Sequence, residues 1–490
     1  MTGEHWPNAT SAGDPSGTTT PEADPQNHAV PDSGVVDAQA ESGEGTFPDD
    51  ASTRDRARRI VAALAAGLSR PDRIAVTTAV PDSVPDAPRL RPPRPGPTLA
   101  EGHSGVALLY AELSQSTPAL RTAAHAHLSA ALHELTTHHG IGLHDGVTSL
   151  AFAARMAQRH PPDYATLLKQ LDERIIAGLR AVLRAEAARL DAGRAGVAMR
   201  TYDTISGVTG VGRYLLLSRD RHRKPLAEAL SYLVRLVRPV RAHGADVPGW
   251  WVPTGPSGRQ DARYPRGHLN LGAAHGICGP LALLALAHES GVRVPGQSEA
   301  IRQLVEHVLP YRLDGGRWPR VVGFDEFVAG APASGCGPGA TVTGWCYGTP
   351  GVARVLYLAG RALGEPEWRH TAIRALTDAL SALTPRQVME GSLCHGWAGL
   401  LQTAWRMADE TADACLAGLL PRLARSLVDA YDSGFPFGFS YDRPALTSGQ
   451  PMAPHRTGFL EGAAGIALAL HTYGTGRKPL CPWDAALLLG

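Results

Sequence analysis

No apolar run in this chain approaches the roughly 20 residues needed to cross a bilayer; the longest, such as Leu281 to Ala287, stop well short. The N-terminus carries no basic start followed by an apolar stretch, so no secretory signal is visible. Cysteine is scarce, six in 490 residues. That excludes the dense disulfide framework of a small secreted domain and makes a reducing cytoplasm the expected compartment. Lys and Arg are missing from residues 1–50, which hold ten Asp and Glu. The remainder therefore sets 36 acidic residues against 47 basic ones, a formal +11. A body of that charge could attract an acidic partner. No nucleic-acid motif and no basic stripe interleaved with aromatics is present, however, and ordinary solvated arginines account for the excess.

Residues 1–53 are rich in Pro, Gly, Ser, Thr and Asp with almost no large apolar side chains. Such a tail cannot repay its ordering entropy and is expected to be disordered, leaving 54–490 as the folded domain. Residues 80–97 form a Pro-rich connection, extended and on the surface. Beyond it one phrase recurs: Gly102-His-Ser-Gly105, Gly207-Val-Thr-Gly210, Gly276-Ile-Cys-Gly279, Gly348-Thr-Pro-Gly351, Gly396-Trp-Ala-Gly399 and Gly462-Ala-Ala-Gly465, with Gly146-Val147 as a degenerate copy. These seven copies each lead into an Ala/Leu-rich run that is apolar nearly all round, the mark of a buried helix. Amphipathic stripes lie between copies, such as Leu168, Leu171, Ile175 and Leu179 or Ile301, Leu304, Val305 and Val308. The alternation predicts an all-α fold, a seven-fold α/α toroid with inner helices round an axis and outer helices covering them. Long connections at 240–270, 314–341 and 433–457 interrupt it, and long loops on a repetitive scaffold shape a binding face or a lid. Phe435, Phe437, Phe439 and Tyr441 alternate as in a short strand.

Chemistry concentrates in copies five and six. Cys346 stands two residues before Gly348, and Cys394 two residues before Gly396, with His395 beside it. Equivalent register puts both sulfurs at the same end of neighbouring helices. Adjacent side chains in a regular helix point about 100° apart, so Cys394 and His395 can share a metal only where the backbone is still entering the helix. Two thiols and an imidazole make a tetrahedral zinc site with one position open, the pattern of a catalytic centre. One Zn²⁺ per chain is the expectation, suited to activating a substrate thiol. His275 has the register of His395 and could donate or accept a proton near pH 7. Asp203, four residues before Gly207, suits either a helix cap or the partner of a proton-transfer group. Tyr347 either bonds a reacting oxygen or packs. Glu101 and Glu461 share a register that acidic residues favour at helix starts without any function. The histidines at 125, 127, 133, 138, 139 and 144 show no convergent pattern. Cys278, Cys336, Cys415 and Cys481 lack partners at metal spacing.

Through the seven phrases, over roughly 98–473, the sequence resembles the lanthipeptide cyclase family, the LanC-like proteins. Its most specific parts are Tyr202-Asp203…Gly207, Asn270-Leu271-Gly272-Ala273-Ala274-His275-Gly276, Trp345-Cys346-Tyr347-Gly348 and Cys394-His395-Gly396. The resemblance implies a seven-fold α/α toroid, zinc on Cys346, Cys394 and His395, and catalytic roles for Asp203 and His275. It implies addition of a peptide cysteine thiol to dehydroalanine or dehydrobutyrine, closing a thioether ring. The expected partner is a dehydrated precursor peptide made by a separate dehydratase, and the expected location cytoplasmic or peripheral to a membrane-associated biosynthetic complex. One departure is Val342, where the family often has an arginine four residues before the first zinc cysteine; Arg456 is a candidate substitute. The alternatives are a LanC-like scaffold binding peptide or glutathione without cyclase activity, and another α/α toroid such as a glycosidase. The latter needs paired carboxylates and leaves the Cys/His set without a use.

Overall fold

A computed structural model describes residues 50–78, 96–137, 139–313, 316–330, 343–384, 387–388, 390–439 and 456–490. The acidic tail, most of the Pro-rich connection, Cys336, Val342 and Tyr441 lie outside them. Fourteen helices build the scaffold, numbered in chain order: α1 (Asp50–Leu68), α2 (His103–Leu113), α3 (Arg121–Glu134), α4 (Val147–Ala157), α5 (Ala165–Asp191), α6 (Val208–Leu216), α7 (Arg219–Arg235), α8 (Cys278–Glu289), α9 (Gln297–Val308), α10 (Thr349–Leu363), α11 (Pro366–Ser381), α12 (Trp397–Thr411), α13 (Ala414–Asp429) and α14 (Ala463–Thr475).

Even-numbered helices are inner. Each packs on the next, from α2 through α4, α6, α8, α10 and α12 to α14, and α14 packs back on α2. Every residue of α2 is buried, and in α8 only the last two escape burial, as the all-round apolar runs require. Odd-numbered helices cover them, α3 on α2 and so on to α13 on α12. The outer partner of α14 comes from the other end of the chain: α1 covers it. Arg54 and Arg58 donate to the carbonyls of Tyr473 and Gly474 at 2.6 and 3.0 Å, and Tyr110 donates its hydroxyl to the Ala65 carbonyl. Helix α1 opens at Asp50, ahead of the boundary expected at residue 54, and Asp50 pairs with Arg54 one turn on.

Inner helix starts pack backbone to backbone, which accounts for the recurring glycines. A Cβ at Gly399 or Gly465 would run into the carbonyl oxygen six residues earlier, that of Leu393 or Phe459. In the degenerate second copy Ser149 takes that place, and its hydroxyl instead donates to the Leu143 carbonyl at 2.8 Å.

The residues two before each leading glycine, with Thr204 standing in for its neighbour Ile205 as donor in the third copy, are joined round the ring by main-chain hydrogen bonds. Ala100 donates to His144, His144 to Ile205, Thr204 to Ala274, Ala274 to Cys346, Cys346 to Cys394, Cys394 to Leu460 and Leu460 to Ala100, all at 2.9–3.3 Å. This belt closes the circle at the N-terminal ends of the inner helices.

Beneath the belt the axis is filled. Residues Trp483–Leu489 are buried throughout. Asp484 accepts from Gln402 at 2.7 Å and from Arg406 at 2.6 Å; the Leu489 carbonyl accepts from Arg354 at 2.9 Å, and Arg213 donates to the Gly490 carbonyl. Glu112 takes the main-chain N–H groups of Leu480 and Cys481 at 3.0 and 2.8 Å. Arg354 in turn pairs with Glu410 at 2.7 Å, so its buried charge is compensated.

Two antiparallel strand pairs sit in the long connections. β1 (Pro239–Ala242) and β2 (Ala245–Pro248) form a hairpin turned by His243 and Gly244, both at positive φ. β3 (His268–Asn270) pairs with β4 (Val321–Gly323), Asn270 opposite Val321. The strand expected at Phe435–Tyr441 is not found among the described residues. Residues 433–438 turn instead: Gly434 N–H donates to the Asp432 carboxylate, Asp432 N–H to the Gly438 carbonyl, and Gly438 adopts φ 72°. Turn chemistry overrides the aromatic alternation there.

Candidate metal centre

Cys346, Cys394 and His395 meet at the belt. Cys346 and Cys394 are successive belt members, 96% and 92% buried by surface, with Cys346 N–H donating to the Cys394 carbonyl at 3.1 Å. One donor atom from each of the three residues lies within 4.8 Å of the others, and Cys346 Sγ is 4.0 Å from His395 Nδ1. Tetrahedral zinc with bonds near 2.3 Å to sulfur and 2.0–2.1 Å to nitrogen sets such donors roughly 3.6–3.8 Å apart. The trio is therefore within a small side-chain adjustment of enclosing a zinc ion, and two thiols with one imidazole form a donor set that leaves one coordination position over. Among the described residues no other His/Cys/Asp/Glu group is gathered in this way. Cys278 and Cys481 are buried singly and Cys415 is exposed.

Glu390 belongs with the trio although nothing in its sequence setting marked it. Its carboxylate lies 2.6 Å from His395 Nε2 and accepts from Ser392 Oγ at 2.8 Å. With Nε2 held by Glu390, Nδ1 is turned toward the sulfurs, the orienting arrangement typical of a metal-bound imidazole. The trio is electrostatically polarised. The Cys394 thiol, donating to its neighbour's sulfur, brings the Cys346 thiol down to about 5 against burial, and His395 adds to the effect. Burial opposes the His395 cation but is outweighed by the Cys346 sulfur and Glu390, which lift it to about 11. Only Cys346 already carries the charge a divalent ion needs; the Cys394 thiol, which its neighbour's sulfur and burial push well up, and the His395 cation must each release a proton as a metal binds.

The turn before α8 brings His275 beside Asp203. His275 Nδ1 is 2.7 Å from Asp203 Oδ2, and the Asp203 side chain is fully buried while 36% of the His275 side chain remains exposed. Asp203 makes two kinds of contact. Its Oδ1 accepts from Ser206 and Gly207 N–H at 2.8 and 2.9 Å, capping the start of α6, and its Oδ2 holds the imidazole. Burial disfavours the His275 cation, and the bond from Asp203 more than offsets this, so its pKa lies above the ordinary value. Because Nδ1 is engaged, Nε2 is the atom free to exchange a proton.

Tyr347, between Cys346 and Gly348, lies 6.5 Å from the His275 ring, centroid to centroid. Its hydroxyl accepts from Asn270 Nδ2 at 3.2 Å, and burial pushes its pKa up to about 12, so it is a neutral hydrogen-bonding group. The guanidinium of Arg320 lies 4.7 Å over the Tyr347 ring, with no carboxylate partner among the described residues. Arg320 precedes β4, and its carbonyl accepts from Leu271 N–H at 3.0 Å, fixing it beside the strand that carries Asn270. Arg456, the candidate to replace the arginine missing at Val342, is paired with Glu461.

The family described as lanthionine synthetase C-like protein matches residues 95–488. Nisin biosynthesis protein NisC of Lactococcus lactis subsp. lactis is 23% identical over 413 residues, 80% of this chain and 88% of that one. A solved structure of nisin cyclase matches with a TM-score of 0.66 at 20% identity, covering 80% of this chain and 92% of that one. At that identity the likeness speaks for the fold, a ring of paired helices closed on itself. The family match spans most of the chain: this protein belongs to the lanthionine synthetase C-like family.

Proposed function

We propose that the protein is a zinc-dependent lanthipeptide cyclase. It adds cysteine thiols of a dehydrated precursor peptide to dehydroalanine or dehydrobutyrine, forming lanthionine or methyllanthionine rings. The observation that carries this reading is the pairing, at one end of the ring, of a Cys–Cys–His donor set with a carboxylate-held histidine. Cys346, Cys394 and His395 would hold the metal and Glu390 would orient His395. A zinc ion there supplies Lewis acidity that lowers the pKa of a thiol from its usual value of about 8.5.

The chain's own residues do the rest. His275 Nε2 accepts the proton that the substrate thiol gives up, and Asp203 stabilises the imidazolium. Sulfur forms a bond to the β-carbon of the dehydrated residue, and the electron pair of the double bond moves onto the α-carbon and its carbonyl as an enolate. His275 then returns a proton to the α-carbon, so the dyad ends each turnover as it began. Tyr347 offers a neutral hydroxyl to a carbonyl oxygen, and Arg320 places positive charge behind the Tyr347 ring. Dehydration is assigned to a separate enzyme and the reaction to the cytoplasm; among the described residues no helix is long and apolar enough to cross a membrane.

The test is to measure zinc in the purified protein and incubate it with a dehydrated precursor. Free thiols are then counted by alkylation and mass spectrometry. Stoichiometric zinc with progressive loss of alkylatable thiols supports the reading. Peptide binding with unchanged thiols would leave only a scaffold role.

A further inference from the structure

The buried segment Trp483–Leu489 does more than fill the axis. Two of its carbonyls reach the belt. The Leu487 carbonyl accepts from Trp345 Nε1 at 2.8 Å, and the Ala486 carbonyl meets His144 Nε2 at 3.0 Å. Trp345 is the residue before Cys346 and is 1% exposed; His144 is itself a belt member, in the register of Cys346 and Cys394. The segment's own anchors lie elsewhere, at Gln402 and Arg406 on α12, Arg354 on α10 and Arg213 on α6. Through the Asp484 carboxylate, the Leu489 carbonyl and the adjoining Gly490 carbonyl, the segment is thus fixed by three inner helices whose anchoring groups are not metal ligands.

We propose that Trp345 is a positioning residue for the metal centre, clamped by the Leu487 carbonyl so that Cys346 is set in place before any metal arrives. This rests on the reading of Cys346 as a ligand. Cys346 is held by its main-chain bond to Cys394 in front and by Trp345 behind. The indole cannot turn without leaving the Leu487 carbonyl buried and unpaired, which is costly. A ligand fixed in advance loses no freedom when it binds, so the clamp acts on metal affinity as well as on folding.

The experiment compares Trp345→Phe with Trp318→Phe in the full chain. Trp318 makes the same kind of bond, its indole N–H to the Val308 carbonyl at 3.0 Å, and is equally buried. Both variants lose one buried indole–carbonyl bond, and both are expected to melt at a lower temperature. Only Trp345→Phe should bind zinc more weakly, by about 10–100-fold in chelator competition, the range typical of residues that orient metal ligands. Its cobalt-substituted form should show a shifted thiolate charge-transfer band. Asp484→Asn, which loosens the segment's anchor while keeping side-chain volume, is expected to move zinc affinity in the same direction and serves if Trp345→Phe does not fold. Equal zinc affinity in wild type, Trp318→Phe and the folded member of the other pair would overturn the proposal. Absence of zinc from the wild-type protein would overturn the metal reading itself, and this inference with it.

Discussion

The docking of α1 is expected to fail in mild acid, because a pair of buried imidazoles sits under it. His103 Nδ1 and His127 Nδ1 are 3.1 Å apart, and His127 Nε2 lies 2.8 Å from the carbonyl of Leu68, the last residue of α1. Facing a carbonyl, Nε2 of His127 carries its proton, so its Nδ1 is the acceptor and His103 Nδ1 the donor. Protonating His127 would set two N–H groups head to head. Burial pushes both pKa values down to about 4, with the bond to Leu68 acting the other way on His127. A base whose folded pKa lies below its unfolded value of about 6.5 leaves the folded state with fewer protons than the unfolded one. The stability it secures is complete above pH 6.5 and is lost as pH falls toward 4. For one such imidazole the loss at pH 5 is about 2 kcal/mol; both are charged in the unfolded chain at that pH and neither in the folded one, so the pair costs about twice that. The assay is denaturant unfolding at pH 7 and pH 5 of wild type and of His103→Asn/His127→Gln, in which Gln keeps a donor for the Leu68 carbonyl. Other buried histidines titrate in both proteins, so the difference isolates the pair. The wild type should lose about 4 kcal/mol more than the variant between the two pH values. Parallel losses would refute the reasoning.

Cys346→Ala and Cys394→Ala should each lose stoichiometric zinc, read by elemental analysis, while keeping the helical circular-dichroism signal of the parent. Glu390→Gln retains all three donor atoms but not the carboxylate behind His395; zinc affinity should fall about 10–100-fold with the fold intact. His275→Ala should keep its zinc and slow ring closure by about 10²–10⁴-fold, the usual contribution of a positioned proton-transfer group; unchanged turnover would remove it from the mechanism. Asp203 raises the His275 pKa, so in Asp203→Asn the imidazole should stay neutral to lower pH, seen as a downward-shifted NMR titration and a matching shift in the acid limb of the rate profile.

Much of this architecture is written locally. The second glycine of each pair is legible because it stands where a Cβ would strike a carbonyl six residues back, a constraint repeated at nearly every inner helix. Register then carries the site: Cys346 and Cys394 share a position in adjacent copies, and the belt makes those positions neighbours in space. What escaped the sequence is long-range. That α1 covers α14 depends on a meeting of residues more than 400 apart, such as Arg54 with Tyr473, for which no periodicity exists. Glu390 lies outside the repeated phrase, and its bond to His395 arises from the bend of the chain. Arg320 reaches the site only because β4 pairs with β3. Nothing local says that a run as short as Trp483–Leu489 should descend into the centre of the ring. The alternating aromatics near Phe435 misled for the opposite reason: a true pattern lay across residues that the Asp432–Gly438 turn bends away.

Because the last stretch of the chain stoppers the hub of the wheel, no peptide can be threaded through it. If the protein is the cyclase proposed above, a precursor with several cysteines must present each thiol from the same face, back out after each closure and return in a new pose. The order of closures is then set by which thiol and which alkene can be offered together from outside, so a precursor already knotted by earlier loops meets no bottleneck on the far side.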